Sequence, residues 1–198
     1  NSISELYDST DPIAELTRIV VEKIKFFNKY TDKEKDNLSK YSAALFVFNT
    51  FYKANKRIIG KNPSPYDIDF VTKYWMKLVE CVDIWEDLEN GNITKVKLRS
   101  DYLVCQSVVI EALGEVGKYF YNNRTKWEEI FSEIRNIDWR RDNPIWKDRC
   151  IKDNNKMVKN EKSICLTANA IKRKLGISLY EEEQYIEFEM KRIGKNHE

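Results

Sequence analysis

Apolar residues recur at helical spacing along most of the chain. Ile13, Leu16, Val20, Ile24 and Phe27 share one face of a helix. Asp11-Pro12 opens it, because Asp can accept free amide hydrogens and Pro tolerates the first helical position; the stripe runs to about Asn28. Thr31 and Glu34 have capping-box spacing, and a second start at Ser39 leads through Leu45, Phe48, Tyr52 and Ile59 to a stop at Gly60. Pro63 and Pro65 enforce a loop. A third helix from Tyr66 or Asp67 carries Phe70, Tyr74, Leu78, Val82 and Trp85 and ends at Gly91.

From Ser100 the run Leu103, Val104, Ser107, Val108, Ala112, Leu113, Val116 and Phe120 predicts the most buried helix, with Gly114 and Gly117 admitting a neighbour at close range. Thr125 with Glu128 predicts the cap of a short helix through about Arg135. Asp142-Asn143-Pro144 predicts a turn into one helical turn around Trp146, followed by a polar linker. Glu161 to Leu175 reads as helix closing at Gly176, and Ser178 with Glu181 predicts the cap of a last helix through about Ile193. No stretch has convincing period-two alternation. The expectation is a single all-α domain over residues 1–198, of seven or eight helices and without a β-sheet.

Composition supports this. Hydrophobic residues make up 42% of the chain and aromatics 13%, so much of the core must be large rings, while six Gly and four Pro leave few of the turns that a β-sandwich needs. The longest apolar run, Ala43 to Phe48, is a core segment rather than a membrane span. Cys81, Cys105, Cys150 and Cys165 lie far apart among apolar neighbours, as small core residues of a protein in a reducing, cytoplasmic compartment. The chain starts at Asn1 rather than Met, so it is expected to be part of something longer.

Charge is unevenly placed. Residues 135–175 hold twelve Lys or Arg against five Asp or Glu, although the whole chain nets only +2. Within it, residues 138–149 pack two tryptophans, four cations and a proline into twelve positions. Such a cluster suits phosphate groups through Coulomb attraction and counterion release, or is simply a solvated basic face. Candidate phosphate contacts are Arg140, Arg141, Lys147, Arg149, Lys159 and Lys162, flanked by Lys172 and Arg173. Trp139 and Trp146 are either core anchors or base-stacking platforms, and Arg149 could instead pair with Asp138 or Asp142.

Other chemistry finds little support. The only histidine is His197, which excludes a histidine-based zinc site or a Ser-His-Asp triad, and no Cys pair has metal-ligand spacing. Asp83 and Asp87 share a helix face that reads as its wet side. Glu181-Glu182-Glu183 complements a helix N-terminus. Leu175-Gly176-Ile177-Ser178 has the outline of a helix-turn-helix turn, but the glutamates of the following helix would repel phosphates. No metal, no cofactor and no enzymatic activity are expected.

Asp138-Trp139-Arg140-Arg141-Asp142-Asn143-Pro144-Ile145-Trp146-Lys147-Asp148-Arg149, followed by Leu166-Thr167-Ala168-Asn169-Ala170-Ile171-Lys172 and Leu175-Gly176-Ile177-Ser178-Leu179, resembles the C-terminal part of the DndB family, the B component of bacterial DNA sulfur modification (phosphorothioation). Asp32 to Ser39 with Ala44-Leu45-Phe46, and Leu98 to Tyr102 with Glu111 to Gly117, agree in order. The family's Asp-Gly-Gln-His-Arg signature, which belongs to an N-terminal half, is absent from this chain. Arg141-Asp142 and the stretch 156–161 depart from its pattern. The resemblance implies a DNA-associated regulator that binds promoter double-stranded DNA and restrains the modification genes, while partner proteins carry the sulfur chemistry. It also leaves open a scaffold that docks onto other modification proteins or onto its own N-terminal half. Asp138, Trp139, Asn143, Pro144, Trp146, Thr167 and Asn169 are the motif residues that the resemblance marks as structural.

Overall fold

The structure, a computed structural model, describes the backbone of residues 3–196 and the side chains of residues 5–196; His197 lies outside the described residues. Eleven α-helices are found among them: α1 (Ile3–Tyr7), α2 (Pro12–Lys23), α3 (Lys25–Tyr30), α4 (Phe48–Ile59), α5 (Pro65–Cys81), α6 (Asp83–Glu89), α7 (Lys95–Asp101), α8 (Ser107–Asn122), α9 (Trp127–Ser132), α10 (Glu161–Lys174) and α11 (Glu181–Lys195). Two short 3-10 turns, Glu133–Asn136 and Pro144–Trp146, lie between α9 and α10.

Helix α8 is the axis, with its most extensive neighbours α4 on one side and α10 on the other. Ten of its residues are buried. Gly114 and Gly117 set the approach of α4: a Cβ at Gly114 would sit 2.8 Å from the Ala54 carbonyl oxygen, and one at Gly117 would sit 2.9 Å from Ile58 Cγ1. Around this pair the rings interlock. Phe26, Phe27, Phe46, Phe51, Trp75 and Trp85 form one cluster, in which Phe26 stacks on Trp85 at 5.0 Å and Phe27 meets Phe51 at 4.4 Å. Phe70, Tyr74, Phe120, Trp127 and Phe131 form a second. Inside the first, Asn55 accepts from the Trp75 indole N–H at 2.7 Å and donates to Thr17 at 3.0 Å, which satisfies the buried amide.

The helical expectation holds in kind but not in number. The first and third sequence stripes each break in two, at Ile24 (φ −93°, ψ 106°) and at Val82 (φ −98°, ψ 91°). Both breaks flank the same cluster: Phe26 and Phe27 follow the first, Trp85 follows the second, and the three rings meet. The stripe from Ser100 is likewise two helices, α7 and α8, with Leu103 and Val104 buried in the linker.

Residues 39–45 are not helical. The Arg99 guanidinium gathers the carbonyls of Lys40, Ser42 and Ala44 there. That positions a two-residue parallel pair, β1 (Thr31–Asp32) with β2 (Phe46–Val47), which corrects the expectation of no sheet. Asp32, not Thr31, is the local acceptor, taking the Glu34 and Lys35 amides at 2.9 Å each. Thr125 does not cap α9, which starts after Lys126 in a left-handed conformation (φ 53°). Helix α11 begins after Tyr180, whose amide donates to Glu183 at 3.0 Å, so Ser178 is not its cap.

Gly114→Ala is expected to cost about 1–3 kcal/mol by overpacking, because the added methyl meets backbone that cannot swing aside. Gly117→Ala meets side chains of Ile58 and Tyr74, which can yield, and should cost less. Thermal denaturation of both variants checks this; a Gly114→Ala midpoint equal to that of the unchanged protein would refute the close-approach constraint.

Candidate functional site

The basic segment folds around its tryptophans. Asp138 organises the turn: its carboxylate accepts the Arg140 amide at 3.0 Å, and its carbonyl accepts the Asn143 side-chain amide at 2.8 Å and the Trp146 indole N–H at 3.1 Å. Asn143 caps the 3-10 turn through the Ile145 amide, and Pro144 takes its first position, where a missing N–H costs nothing. The rings of Trp139 and Trp146 then stack, 5.4 Å apart and 6° from parallel. Both are core residues, 5% and 0% exposed. Backbone bonds from Leu103 to Trp139 (2.9 Å) and from Arg141 to Asp101 (2.8 Å) stitch the turn to the α7–α8 linker.

The candidate cations divide into two groups. Arg149 is largely but not fully buried and forks onto Glu187 of α11 with two 2.7 Å bonds, while donating to the Leu166 carbonyl at 2.8 Å. Arg173 meets the same carboxylate at 2.7 Å, and buried Lys172 pairs with Glu183. Thus Arg149 takes Glu187 as its partner rather than Asp138 or Asp142. Lys159 meets buried Glu111 of α8 at 2.6 Å, beside Arg57, which links Glu111, Glu115 and Glu161. Thr167 and Asn169 are buried on α10; Thr167 donates to the Ser163 carbonyl at 2.7 Å, and Asn169 donates to the Glu183 carbonyl at 3.3 Å.

Burial pushes the Glu187 carboxyl up, but the Arg149 guanidinium, reinforced by Arg173 and Asn169, more than offsets it and holds Glu187 below its ordinary 4.5. The stability that this carboxylate contributes is therefore present above 4.5 and is lost as pH falls through its folded-state value.

The second group faces solvent. Lys147 and Lys162 line a groove of about 580 Å³ between the 147–163 stretch and the end of α11. Lys152, Lys191, Lys195 and Arg149 line it too, against Asp148 and Asp153 as the only acids in its wall among the described residues. Lys147 reaches Asp153 at 3.1 Å, leaving a wall of cationic surplus. Arg140 and Arg141 lie apart from it, in a smaller cleft with Ser100, Asp101, Tyr102 and Asp142. There Tyr102 and the carboxylates of Asp138 and Asp142 hold the Arg140 guanidinium above its ordinary range, and Arg141 donates to the Asn155 carbonyl at 3.3 Å.

Sequence reasoning missed Lys152, Lys191 and Lys195. The signal for the last two was available in α11, whose acids crowd its first half while Lys191, Arg192 and Lys195 occupy its end. A charge sum over the whole helix cancels that polarity.

Burial pushes the Cys105 thiol up to about 12 and raises Cys150 as well, the opposite of an activated nucleophile. Asp83 pairs with Arg135 at 3.0 Å. Among the described residues no three His, Cys, Asp or Glu gather as a metal site, and no helix is long and apolar enough to cross a membrane.

The fold and the site together define a helical protein whose basic segment is built on stacked tryptophans and opens onto a lysine-lined groove. The chain belongs to the DndB family, described as DNA-sulfur modification-associated, whose family model matches residues 1–178. Membership places it in DNA sulfur modification. No curated protein and no solved structure matches the chain.

Arg149→Met should leave buried Glu187 with the half-exposed Arg173 as its only cation and loosen α11, raising amide exchange there about 100-fold at neutral pH while α4 and α8 stay protected. The difference from the unchanged protein should shrink as pH falls through the folded-state value of Glu187, which lies below 4.5. Hydrogen exchange followed against pH tests it, and uniform loosening of the whole fold would contradict it.

Proposed function

We propose that this protein is a DNA-associated regulatory component of DNA phosphorothioation, acting on transcription of the modification genes, and that it holds double-stranded DNA by its phosphates. The observation that carries the reading is the groove, where Lys147, Lys152, Lys162, Lys191 and Lys195 converge from two separate parts of the chain. Clustered exposed lysines with few acids among them form a backbone-binding surface, which positions DNA without reading its sequence. The family's place in DNA sulfur modification supplies the context. In this reading the protein is not an enzyme and the sulfur-transfer chemistry belongs to its partners.

A second reading, a non-catalytic scaffold that docks onto other modification proteins, is favoured by one feature. Tyr180, Tyr185, Phe188 and Ile193 are exposed at 55%, 63%, 62% and 43%, a concentration of apolar surface at and along α11. Aromatic residues of this kind are enriched at protein interfaces.

Fluorescence anisotropy with a labelled duplex distinguishes the two. Combining Lys162→Glu with Lys191→Glu is expected to weaken binding at least about tenfold at low salt and to reduce the slope of log affinity against log salt by about 2. Lys53→Glu, on α4 outside the groove, should change neither. Unaltered binding by the double variant would remove the groove from the proposal; no duplex binding at low salt, with salt-insensitive capture of a modification subunit, would replace it by the scaffold.

A further inference from the structure

Helix α11 docks chiefly by its charges. Its one fully buried residue is the carboxylate-bearing Glu187; Ile186 and Met190 are half-buried beside it, while Tyr185 and Phe188 face water. An ordinary surface helix buries its apolar stripe and wets its charges. What holds α11 is a set of ion pairs to α10 and the loop before it: Glu187 with Arg149 and Arg173, and Glu183 with Lys172. The three cations lie inside the region that the family model matches, residues 1–178, whereas both carboxylates lie beyond it.

We propose that Arg149, Lys172 and Arg173 form a second phosphate-binding site, covered in this structure by the acidic face of α11, and that the phosphodiester backbone of DNA displaces that cover. Carboxylate and phosphate present the same fork of acceptor oxygens to a guanidinium, so Arg149 can exchange one for the other without losing its two charge-assisted bonds. Stripping a partner from a buried charge is costly, but exchanging one anion for another leaves the cations paired. The Leu166 carbonyl, 2.8 Å from Arg149 Nη1, keeps that guanidinium in place during the exchange. The opposing apolar cost is small because, of α11's side chains, only Ile186 and Met190 are half-buried apolar groups and neither joins the core. Its far end, through Lys191 and Lys195, already lines the lysine groove, so a strand seated there lies beside the cover. Displacement uncovers Arg149, Lys172 and Arg173 beside the Lys147, Lys152 and Lys162 wall of the groove. The proposal rests on the DNA reading above only for the identity of its ligand.

The test is hydrogen exchange of the full chain, followed over residues 183–190, with three additions: a short DNA duplex, inorganic polyphosphate, and sodium chloride of matched ionic strength. The duplex should accelerate exchange there at least about tenfold, with α4 and α8 unchanged, while the chloride should do little because partly buried pairs are weakly screened. Glu187→Gln should bind the duplex at least about tenfold more tightly than the unchanged protein; should that variant not fold, Glu183→Gln, whose carboxylate is less buried, takes its place with the same expected direction. Unchanged or increased protection of α11 under saturating duplex overturns the covered site and leaves the groove standing if Lys162→Glu with Lys191→Glu still weakens binding. Polyphosphate that exposes α11 when no duplex binds keeps the covered site and defeats the DNA reading. Neither polyanion exposing α11 overturns the covered site outright.

Discussion

Helices α4 and α8 lie so close that the backbone of one fills the space a side chain of the other would need. At Gly114 the obstruction is the Ala54 main chain itself, at 2.8 Å from where a Cβ would stand. Two consequences spread from that contact. On the α4 side, Phe51 and Asn55 reach the aromatic cluster and the Thr17–Trp75 network; on the α8 side, Glu111 and Glu115 face Arg57, which also holds the start of α10 through Glu161. The basic segment is then folded against this frame by way of the α7–α8 linker.

Electrostatics forms a second layer over the first. The cations of the basic segment do not share one fate: Arg149, Lys159, Lys172 and Arg173 face carboxylates of α8 and α11, and Lys147, Lys152 and Lys162 face solvent. A local charge excess in a sequence therefore translates only partly into surface potential. How much survives depends on which acidic elements fold over it.

The helical class, the two glycines of the close contact, the Asn143-Pro144 turn and the basic segment were legible in the chain, because each rests on spacing or on the conformational limits of one or two residues. The breaks at Ile24 and Val82 were not. Both residues are apolar and fit their stripes, and the aromatic cluster that the breaks flank joins Phe26 to Trp85, which is distant in sequence. The β1–β2 pair depends on Arg99, remote in sequence from either strand. Likewise the candidate cations could be named as a group, but their division required knowing that Glu111, Glu183 and Glu187 lie against them. Lys191 and Lys195 were hidden because the glutamates preceding them dominate the charge of their helix.

All five tryptophans are buried, Trp127 being the most exposed at 8%, and none belongs to α11, whose only aromatic residues are Tyr185 and Phe188. Indole emission therefore reports on the cores around Trp75, Trp85 and Trp127 and on the Trp139–Trp146 stack, and no indole rides on the last helix. Global unfolding disturbs that emission, so a movement of α11 followed by another probe while the emission holds still is the movement of a single element rather than melting.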